Sequence, residues 1–435
     1  MGIVNKKILF LSTGDVNGAY EAIYKLSYLF SNEGHTVSML VKNKTKNDNF
    51  IKQYKYPESV QKSLFTRVID KIKHKYFKQI KEEIITFDLK YNFISKEENS
   101  HNISPTLVVE TIGFVPDIII SGMTNDFMNS TDLLEIQQYT GAQVYNVTVD
   151  MNHFTGGCHY AWDCNGYING CDINCPAITS ENGKELAKNN FETKLNNAKK
   201  GNFKIISGSE WTLNQSKKSL IYRNQNLYLN INSLIDTKLM NGNNRAFAKS
   251  IFDLDDNKFY ILMGCQNAND PRKGFEYLLE SLKILERKLD NSLKSKIEVL
   301  IVSRQKSDDF DEIPFAKRHI DYIKDYRLLS LLYQASDLFI NSSVEDSGPM
   351  MVSEALACGT PVVGFDMGIV TNMVTNDFNG YKAVLKDSTD LANGIYKVLT
   401  LSEAEYEMYS KNAIRQVEMY SSLEYAMKEL STILK

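Results

Sequence analysis

The opening of the chain constrains its fold more than any other stretch. An apolar run, Lys7–Ser12, is followed by a short loop that contains Gly14 and Gly18. Apolar residues then recur at helical spacing as far as Gly34, which suits a helix end, and a second apolar run covers Thr36–Val41. This order of strand, helix and strand predicts an α/β fold with a parallel sheet and helices on its faces.

The loop between Gly14 and Gly18 has two interpretations. It has too few glycines for a dinucleotide-binding fingerprint. Open parallel sheets bind ligands at the carboxyl ends of their strands, so the loop is a candidate edge of a ligand cleft. The alternative is a tight turn without a binding role.

The α/β pattern recurs along the chain, and 435 residues suggest two or three domains. We predict an N-terminal domain over 1–225, interrupted by an irregular Gly- and Cys-rich insertion at 153–176. A polar, Asn-rich linker at 224–244 leads into a C-terminal domain over 226–415. A helix over 416–435 is expected to pack back towards the N-terminal domain. Further predicted strands are Asp117–Ser121, Val144–Val149, Lys204–Ser207, Phe259–Met263, Ile297–Val302, Leu338–Ile340 and Pro361–Phe365.

Composition excludes some classes of protein. Lys and Arg number 50 and Asp and Glu number 53, so the net charge of −3 argues against a binder of polyanions or nucleic acid. No window of 18 uninterrupted apolar residues exists, so we expect no membrane-spanning helix. The first apolar run is too short for a signal peptide, so we expect a cytoplasmic protein.

A basic segment at 51–81 differs from its surroundings, with nine Lys or Arg and two acidic residues. Apolar residues fall at roughly helical spacing among the cations. One interpretation is a solvated surface helix. The other is an amphipathic helix that binds the anionic inner face of a membrane.

The stretch from Asn341 to Asn379 carries the most chemical information. Asp346 and Ser347 can cap a short helix, Pro349 suits its first turn, and Gly359 suits its end. The start of that helix, beside Gly348, should attract an anion such as a diphosphate. The bland alternatives are that Asp346 is only a helix cap and that Glu354 is a solvated helix residue.

This stretch resembles the donor-site signature of retaining family 4 glycosyltransferases, which have the GT-B fold of two Rossmann-like, doubly wound domains facing across a cleft. Asp346 and Glu354 are separated by seven residues, and "CGTPVV" follows at 358–363, as in that family. The segment Asp270–Phe275, with Arg272 and Lys273, resembles the family's basic loop. Leu328–Asp337 resembles its helix ending in "Tyr-x-x-Ala-Asp", with Ser336 in place of Ala.

The resemblance implies a role for each matching residue. Glu354 would hold the ribose hydroxyls of a nucleotide sugar, and Asp346 would contact the sugar. Arg272, Lys273 and the helix start at Gly348 and Pro349 would stabilise the leaving diphosphate. Gly14 and Gly18 would also lie at the donor site. The family transfers sugars with retention of anomeric configuration and without a catalytic metal.

Four cysteines form a cluster whose role the sequence leaves open. Cys158, Cys164, Cys171 and Cys175 are separated by five, six and three residues, which is not a standard zinc-ribbon spacing. A structural zinc site, disulfide-capable pairs and free buried thiols are the three alternatives. The segment Thr155–Pro176 also resembles a Cys-rich insertion of a glycosyltransferase subgroup.

Two residues near this cluster are further candidates. Asp150 follows a predicted strand where relatives often have a His-Asp pair, and it would orient the acceptor or the donor sugar. The alternative for Asp150 is a turn-forming role. His159 is either a cleft residue or a structural or metal-associated histidine.

These patterns together predict a glycosyltransferase, in EC class 2.4, that serves bacterial polysaccharide biosynthesis. It would move a sugar from a nucleotide-sugar donor to a growing, lipid-linked glycan at the inner face of the membrane. The alternatives are a GT-B nucleotide-sugar epimerase and a non-catalytic subunit that binds nucleotide sugars. The sequence does not identify the sugar, the base or the acceptor.

Overall fold

The computed structural model describes residues 5–16, 18–57, 84–94, 97–265, 267, 269–304 and 306–434. Most of the basic segment at 51–81 therefore lies outside the described residues. Its described beginning, Ile51–Gln53, is a strand and not part of a helix. In the parts of the chain that are described, no helix is both long enough and apolar enough to span a membrane.

Two sheets organise the structure. The first has seven strands in the order β3-β2-β1-β4-β5-β6-β7, and the second has six in the order β10-β9-β8-β11-β12-β13. Every strand pair whose register is described is parallel. The strands are β1 Lys7–Ser12, β2 Thr36–Val41, β3 Ile51–Gln53, β4 Ile118–Ser121, β5 Gln143–Thr148, β6 Lys204–Ser207, β7 Tyr228–Asn230, β8 Phe259–Cys265, β9 Ile297–Ser303, β10 Ala316–Asp321, β11 Leu338–Asn341, β12 Val362–Phe365 and β13 Gly380–Ala383.

Helices connect these strands. They are α1 Gly18–Asn32, α2 Pro105–Ile112, α3 Ser130–Thr140, α4 Gly166–Asn169, α5 Lys184–Lys200, α6 Glu210–Lys218, α7 Arg245–Ile251, α8 Phe275–Lys288, α9 Asn291–Lys296, α10 Tyr326–Ala335, α11 Met350–Ala357, α12 Val370–Met373, α13 Ser388–Leu399, α14 Glu403–Tyr420 and α15 Leu423–Leu430. The prediction of an α/β fold with two parallel sheets is confirmed.

The central strands are apolar along their whole length because helices cover both faces of a parallel sheet. In β1 every residue after Lys7 is buried, and all seven residues of β9 are buried. Helix α1 buries Ile23, Leu26 and Phe30, the residues whose spacing predicted it.

The chain divides into two compact units. One consists of 1–146, 152–204 and 218–223, and the other of 147–151, 205–217 and 224–435. The domain boundaries at 225 and 415 stay predictions. The predicted single helix at 416–435 is wrong, because α14 ends at Tyr420 and α15 begins at Leu423. Ser422 caps the second helix by accepting from the Tyr425 N–H.

Candidate functional site

Two loops of the second unit are joined at the carboxyl edge of its sheet. One follows β8 and contains Arg272, and the other follows β11, the neighbouring strand. The carbonyl of Arg272 accepts from the Val344 N–H at 2.7 Å, and the Ser342 hydroxyl donates to the carbonyl of Lys273 at 2.9 Å. Gly274 has φ +59, and a Cβ there would lie 2.2 Å from the Ser342 carbonyl oxygen. The close approach of the two loops therefore requires glycine at this position.

The predicted acid and the predicted base of the site form an ion pair. Lys273 Nζ lies 2.5 Å from Asp346 Oδ2, and the Gly348 N–H donates to Asp346 Oδ1 at 3.2 Å. Burial alone would raise the pKa of Asp346. The charge and hydrogen bond of Lys273, the charge of Arg272 and the Gly348 amide outweigh burial and lower this pKa below its usual value. Asp346 is therefore an ionised carboxylate at neutral pH.

Arg272 is held by the acid two residues before it. Its Nε and Nη2 donate to the two carboxylate oxygens of Asp270 at 3.1 and 2.5 Å. This bidentate fork fixes the plane of the guanidinium group. Asp270 also caps the short 3-10 turn that carries Arg272 and Lys273. Both predicted diphosphate-binding cations thus stand in one ordered turn.

Helix α11 begins later than predicted. Met350 is its first residue, Pro349 occupies the N-cap position, and no side chain caps the helix. The alternative that Asp346 or Ser347 caps it is wrong, because Asp346 accepts instead from the Gly348 N–H. The free N–H groups of a first turn without a side-chain cap suit an anion. The helix ends as predicted, with Gly359 at φ +74.

Glu354 lies inside this helix and is buried, with 5% of its surface exposed. Its Oε2 accepts from the hydroxyl of Tyr333 on α10 at 2.9 Å. Burial, followed by the charge and hydrogen bond of Glu354, raises the pKa of Tyr333 well above its usual value. The interpretation of Glu354 as a solvated helix residue is therefore wrong. Tyr333 is the tyrosine of the Tyr-x-x-Ala-Asp motif noted in the sequence, but the motif alone gave it no role, since a tyrosine on the buried face of a helix looks like an ordinary core residue.

Two other parts of the second unit contact the loop that contains Asp346 and Ser347. A Cβ on Gly368, which has φ +57, would lie 3.2 Å from the Asp346 carbonyl oxygen. The hydroxyl of Ser209 donates to the carbonyl of Ser347, and the Thr212 N–H donates to Ser209 Oγ at 3.2 Å. Ser209 therefore caps α6. Sequence reasoning missed the contact of Ser209 with the Ser347 loop.

Gly14 and Gly18 belong to the first unit, whereas Arg272, Lys273, Asp346, Gly348, Pro349 and Glu354 belong to the second. The loop between the two glycines is tied down by Asp15. This fully buried carboxylate accepts from both the N–H and the hydroxyl of Thr45 and from the Lys46 N–H. Gly18 has φ +45 and begins α1.

Asp150 and His159 are both buried. Asp150 has 4% of its surface exposed and lies in the part of the second unit that directly follows β5. His159 is fully buried, its ring Nε2 lies 2.5 Å from the Asn125 amide nitrogen, and its backbone N–H donates to the Tyr91 carbonyl. These contacts favour a structural role for His159.

The four clustered cysteines come together in the first unit and have free thiols. Cys158 and Cys175 share a hydrogen bond that raises the pKa of Cys158 and lowers that of Cys175 to about 7. Backbone N–H groups donate to three of the sulfurs: Gly166 to Cys164, Gly156 to Cys171, and Ala177 and Ile178 to Cys175. Within the described residues, no three or more His, Cys, Asp or Glu side chains are grouped so that they could hold a metal ion. The structural zinc site expected from the sequence stays a prediction.

Part of the chain matches a known protein family. Residues 243–416 match the family described as glycosyl transferases group 1. Two proteins of Methanocaldococcus jannaschii, both named uncharacterized glycosyltransferases, are similar to the chain. One is 27% identical over 180 residues, which cover 38% of this chain and 44% of the relative. The other is 23% identical over 343 residues, which cover 76% of this chain and 83% of the relative.

A solved structure extends the similarity to the whole fold. Anabaena HepE in complex with UDP-glucose matches with a TM-score of 0.61 and 14% identity, covering 99% of both chains. Together with the two parallel sheets, this match identifies the architecture as GT-B. Residues 243–416 thus match the glycosyl transferases group 1 family, and the chain has the fold of GT-B glycosyltransferases.

Proposed function

We propose that the chain transfers a sugar from a nucleotide-sugar donor to a glycan acceptor, with retention of anomeric configuration. The observation that carries the proposal is the common edge of the second sheet, where the Arg272–Lys273 turn lies against the loop that precedes α11. The two cations and the uncapped helix start suit the diphosphate of a nucleotide sugar. Asp346 suits its sugar, and the buried carboxylate of Glu354 suits its ribose.

The donor is the best-supported ligand. The guanidinium of Arg272 binds phosphate oxygens in a bidentate manner, and Lys273 adds a point charge. Glu354 accepts hydrogen bonds from the ribose diol. UDP and UDP-sugars are the first donors to test, because the similar HepE structure contains UDP-glucose.

The Lys273–Asp346 ion pair suggests how the donor is received. A diphosphate carries more negative charge than the Asp346 carboxylate, so it competes for Lys273 Nζ. Asp346 then turns its oxygens to the sugar hydroxyls. The ion pair of the donor-free chain is thus exchanged for two interactions with the donor.

Chemistry follows from the same groups. The bond between the anomeric carbon and the diphosphate breaks, the acceptor oxygen forms the new bond, and its proton passes to an oxygen of the leaving diphosphate. Negative charge grows on the leaving diphosphate, where Arg272, Lys273 and the start of α11 stabilise it. Asp150 would orient the acceptor or the donor sugar.

The acceptor proposed here is a growing, lipid-linked bacterial glycan. The basic segment at 51–81 supports it, because each Lys near an anionic surface contributes about 1 kcal/mol of binding. Co-sedimentation with liposomes tests the membrane part of the proposal. Binding that needs anionic lipid and falls with salt supports it, and equal binding to neutral vesicles refutes it.

Two other functions are less well supported. A nucleotide-sugar epimerase would use the same donor without an acceptor, but the similar curated proteins are named glycosyltransferases. A non-catalytic subunit would bind the donor and not consume it. Release of nucleotide that depends on an acceptor distinguishes the transferase from both.

Binding measurements test the donor site. A thermal-shift screen of nucleotide sugars identifies the donor, because a ligand that binds the native state stabilises it. Arg272→Gln should then weaken donor binding about 10- to 100-fold, the cost of a lost hydrogen bond to a charged group. Arg327 forms the same fork with Asp325, outside the site, so Arg327→Gln is the matched control and should bind like the wild type. Equal affinity of the two variants would refute the assignment.

A further inference from the structure

The first unit contains a pocket of about 290 Å³ that the donor site does not use. It is lined by residues that follow β2 and β4, by Asn146 on β5, and by one side of α5. The volume lies near the lower end of the range for small-molecule sites, about 300–1,000 Å³. A pocket of this size suits the terminal sugar of a glycan better than a longer stretch of the glycan.

A buried amide in this pocket lacks part of its hydrogen bonding. Asn146 has 3% of its surface exposed, and its Nδ2 donates to the hydroxyl of Tyr222 at 2.8 Å. Its Oδ1 is buried and has no hydrogen-bond partner. A buried acceptor without a partner costs about 1–3 kcal/mol. A ligand hydroxyl that donates to this oxygen would recover that cost.

The cations of the pocket are already bound to protein groups. Lys194 lies 3.3 Å from Glu98, with both side chains 6% exposed, and its Nζ also donates to the carbonyl and the Oδ1 of Asn152. Lys42 Nζ donates to the carboxylate of Asp126 at 2.6 Å and to its carbonyl at 2.7 Å. Neither lysine is therefore available to an anionic ligand without breaking a pair.

Acidic groups outnumber basic ones in the lining. Glu97, Glu98 and Asp126 face Lys42 and Lys194, which leaves a formal charge of −1 among the described residues with His153 neutral. Glu97 is exposed, and no described cation pairs with it. A phosphate or carboxylate on the ligand would be repelled here, whereas hydroxyl donors would find carboxylate and amide oxygens.

Aromatic rings complete one side of the pocket. Tyr56 and Phe127 both line it, and each contacts the ring of Tyr54, at centroid distances of 5.1 and 5.9 Å. Tyr56 is half exposed, so part of its ring is open to a ligand. The C–H face of a sugar ring packs well on such a surface.

We propose that this pocket binds the end of the acceptor and selects a neutral, polyhydroxylated sugar over a phosphorylated or acidic one. The inference rests on the proposed glycosyltransferase function and adds the chemical class of the acceptor. Asn146 recognises a hydroxyl donor, and Glu97 contributes to the rejection of anions.

Binding to a glycan array tests this proposal directly. The labelled full-length chain is applied to glycans that end in neutral hexoses or N-acetylhexosamines and to matched glycans that end in uronic acids, sialic acid or phosphate. We expect neutral glycans to bind best. Asn146→Leu should weaken their binding at least about tenfold, with donor affinity retained, because it removes the amide oxygen and keeps the side-chain volume.

A charge reversal keeps the test decisive if Asn146→Leu does not fold. Glu97→Lys changes an exposed side chain and should shift binding towards acidic glycans. Glu192→Lys is the matched control, because Glu192 is exposed on α5 and does not line the pocket. It should bind like the wild type.

The possible failures are distinguishable. The pocket proposal is overturned if acidic glycans bind the wild type best, if no glycan binds, or if Glu97→Lys behaves like Glu192→Lys. Normal donor binding and sugar transfer in those cases would leave the proposed function intact. A chain that neither binds nor consumes any nucleotide sugar would instead refute the proposed function.

Discussion

Glu354 shows how much a single residue of the site depends on its surroundings. Its spacing from Asp346 predicted a role in donor binding, but spacing does not reveal a partner on another helix. Tyr333 donates to Glu354 from α10 and is fully buried. We infer that Tyr333 is a positioning residue that fixes the carboxylate orientation.

Substitution of Glu354 separates charge from shape. Glu354→Gln should keep the hydrogen bond from Tyr333 and lower donor affinity about 10- to 100-fold, because a charged acceptor is lost. Tyr333→Phe should lower affinity less, and its melting temperature reports any loss of packing. Calorimetric titration with the donor measures both. Wild-type affinity in Glu354→Gln would contradict the ribose assignment.

Asp346 gives a prediction for how the stability of the folded chain depends on pH. Its folded pKa is lowered, so its ionised form stabilises the folded state above the unfolded value of 3.8. That contribution is lost as pH falls below 3.8 towards the folded pKa. The difference in melting temperature between wild type and Asp346→Asn should be constant over about pH 5–7 and shrink in stronger acid.

The control for this experiment is Lys273→Met. It leaves burial, which raises the pKa of Asp346, and removes the charge and hydrogen bond of Lys273, so that only Arg272 and the Gly348 amide still lower this pKa. In the Lys273→Met background, the melting-temperature difference caused by Asp346→Asn should already change with pH above the strongly acid range. A difference between wild type and Asp346→Asn that stays constant into acid would contradict the ion-pair account.

At the scale of elements, apolar strands were predictable and polar edge strands were not. The predicted bounds of β1, β2 and β6 agree with the structure, because buried parallel strands are continuous apolar runs. β10 was missed. It lies at the edge of its sheet with the sequence AKRHID, and charged residues are typical of an edge that must not pair further. β3 and β7 are three-residue edge strands, too short to give a pattern.

The Cys-rich segment carries the main prediction at this scale. Four thiols within 18 residues predict a structural zinc site of about one ion per chain, although the described side chains form no group that could hold a metal ion. Elemental analysis of protein purified without added zinc should detect it. Cys164→Ser should lose the metal and lower the melting temperature, whereas Cys358→Ser, outside the cluster, should retain the metal. Fully active, metal-free protein with four titratable thiols would refute the prediction.

The whole molecule was predictable as a class and less so as a set of contacts. Repeated α/β patterns predicted two parallel sheets, which the structure confirms, and one motif predicted a donor site, which stays a prediction. The contacts that complete the site join residues far apart in sequence, such as Lys273 with Asp346 and Ser209 with Ser347. Such pairs depend on how loops meet after folding, which residue spacing in one chain does not encode.

Release of nucleoside diphosphate is the measurement that tests the central claim most directly. The full-length chain is incubated with the donor found by thermal shift, with and without neutral oligosaccharides. We predict release that depends on an acceptor, is lost when Arg272→Gln and Lys273→Met are combined, and persists in Arg327→Gln. Absence of release with every nucleotide sugar, or undiminished release in the double variant, would contradict the account.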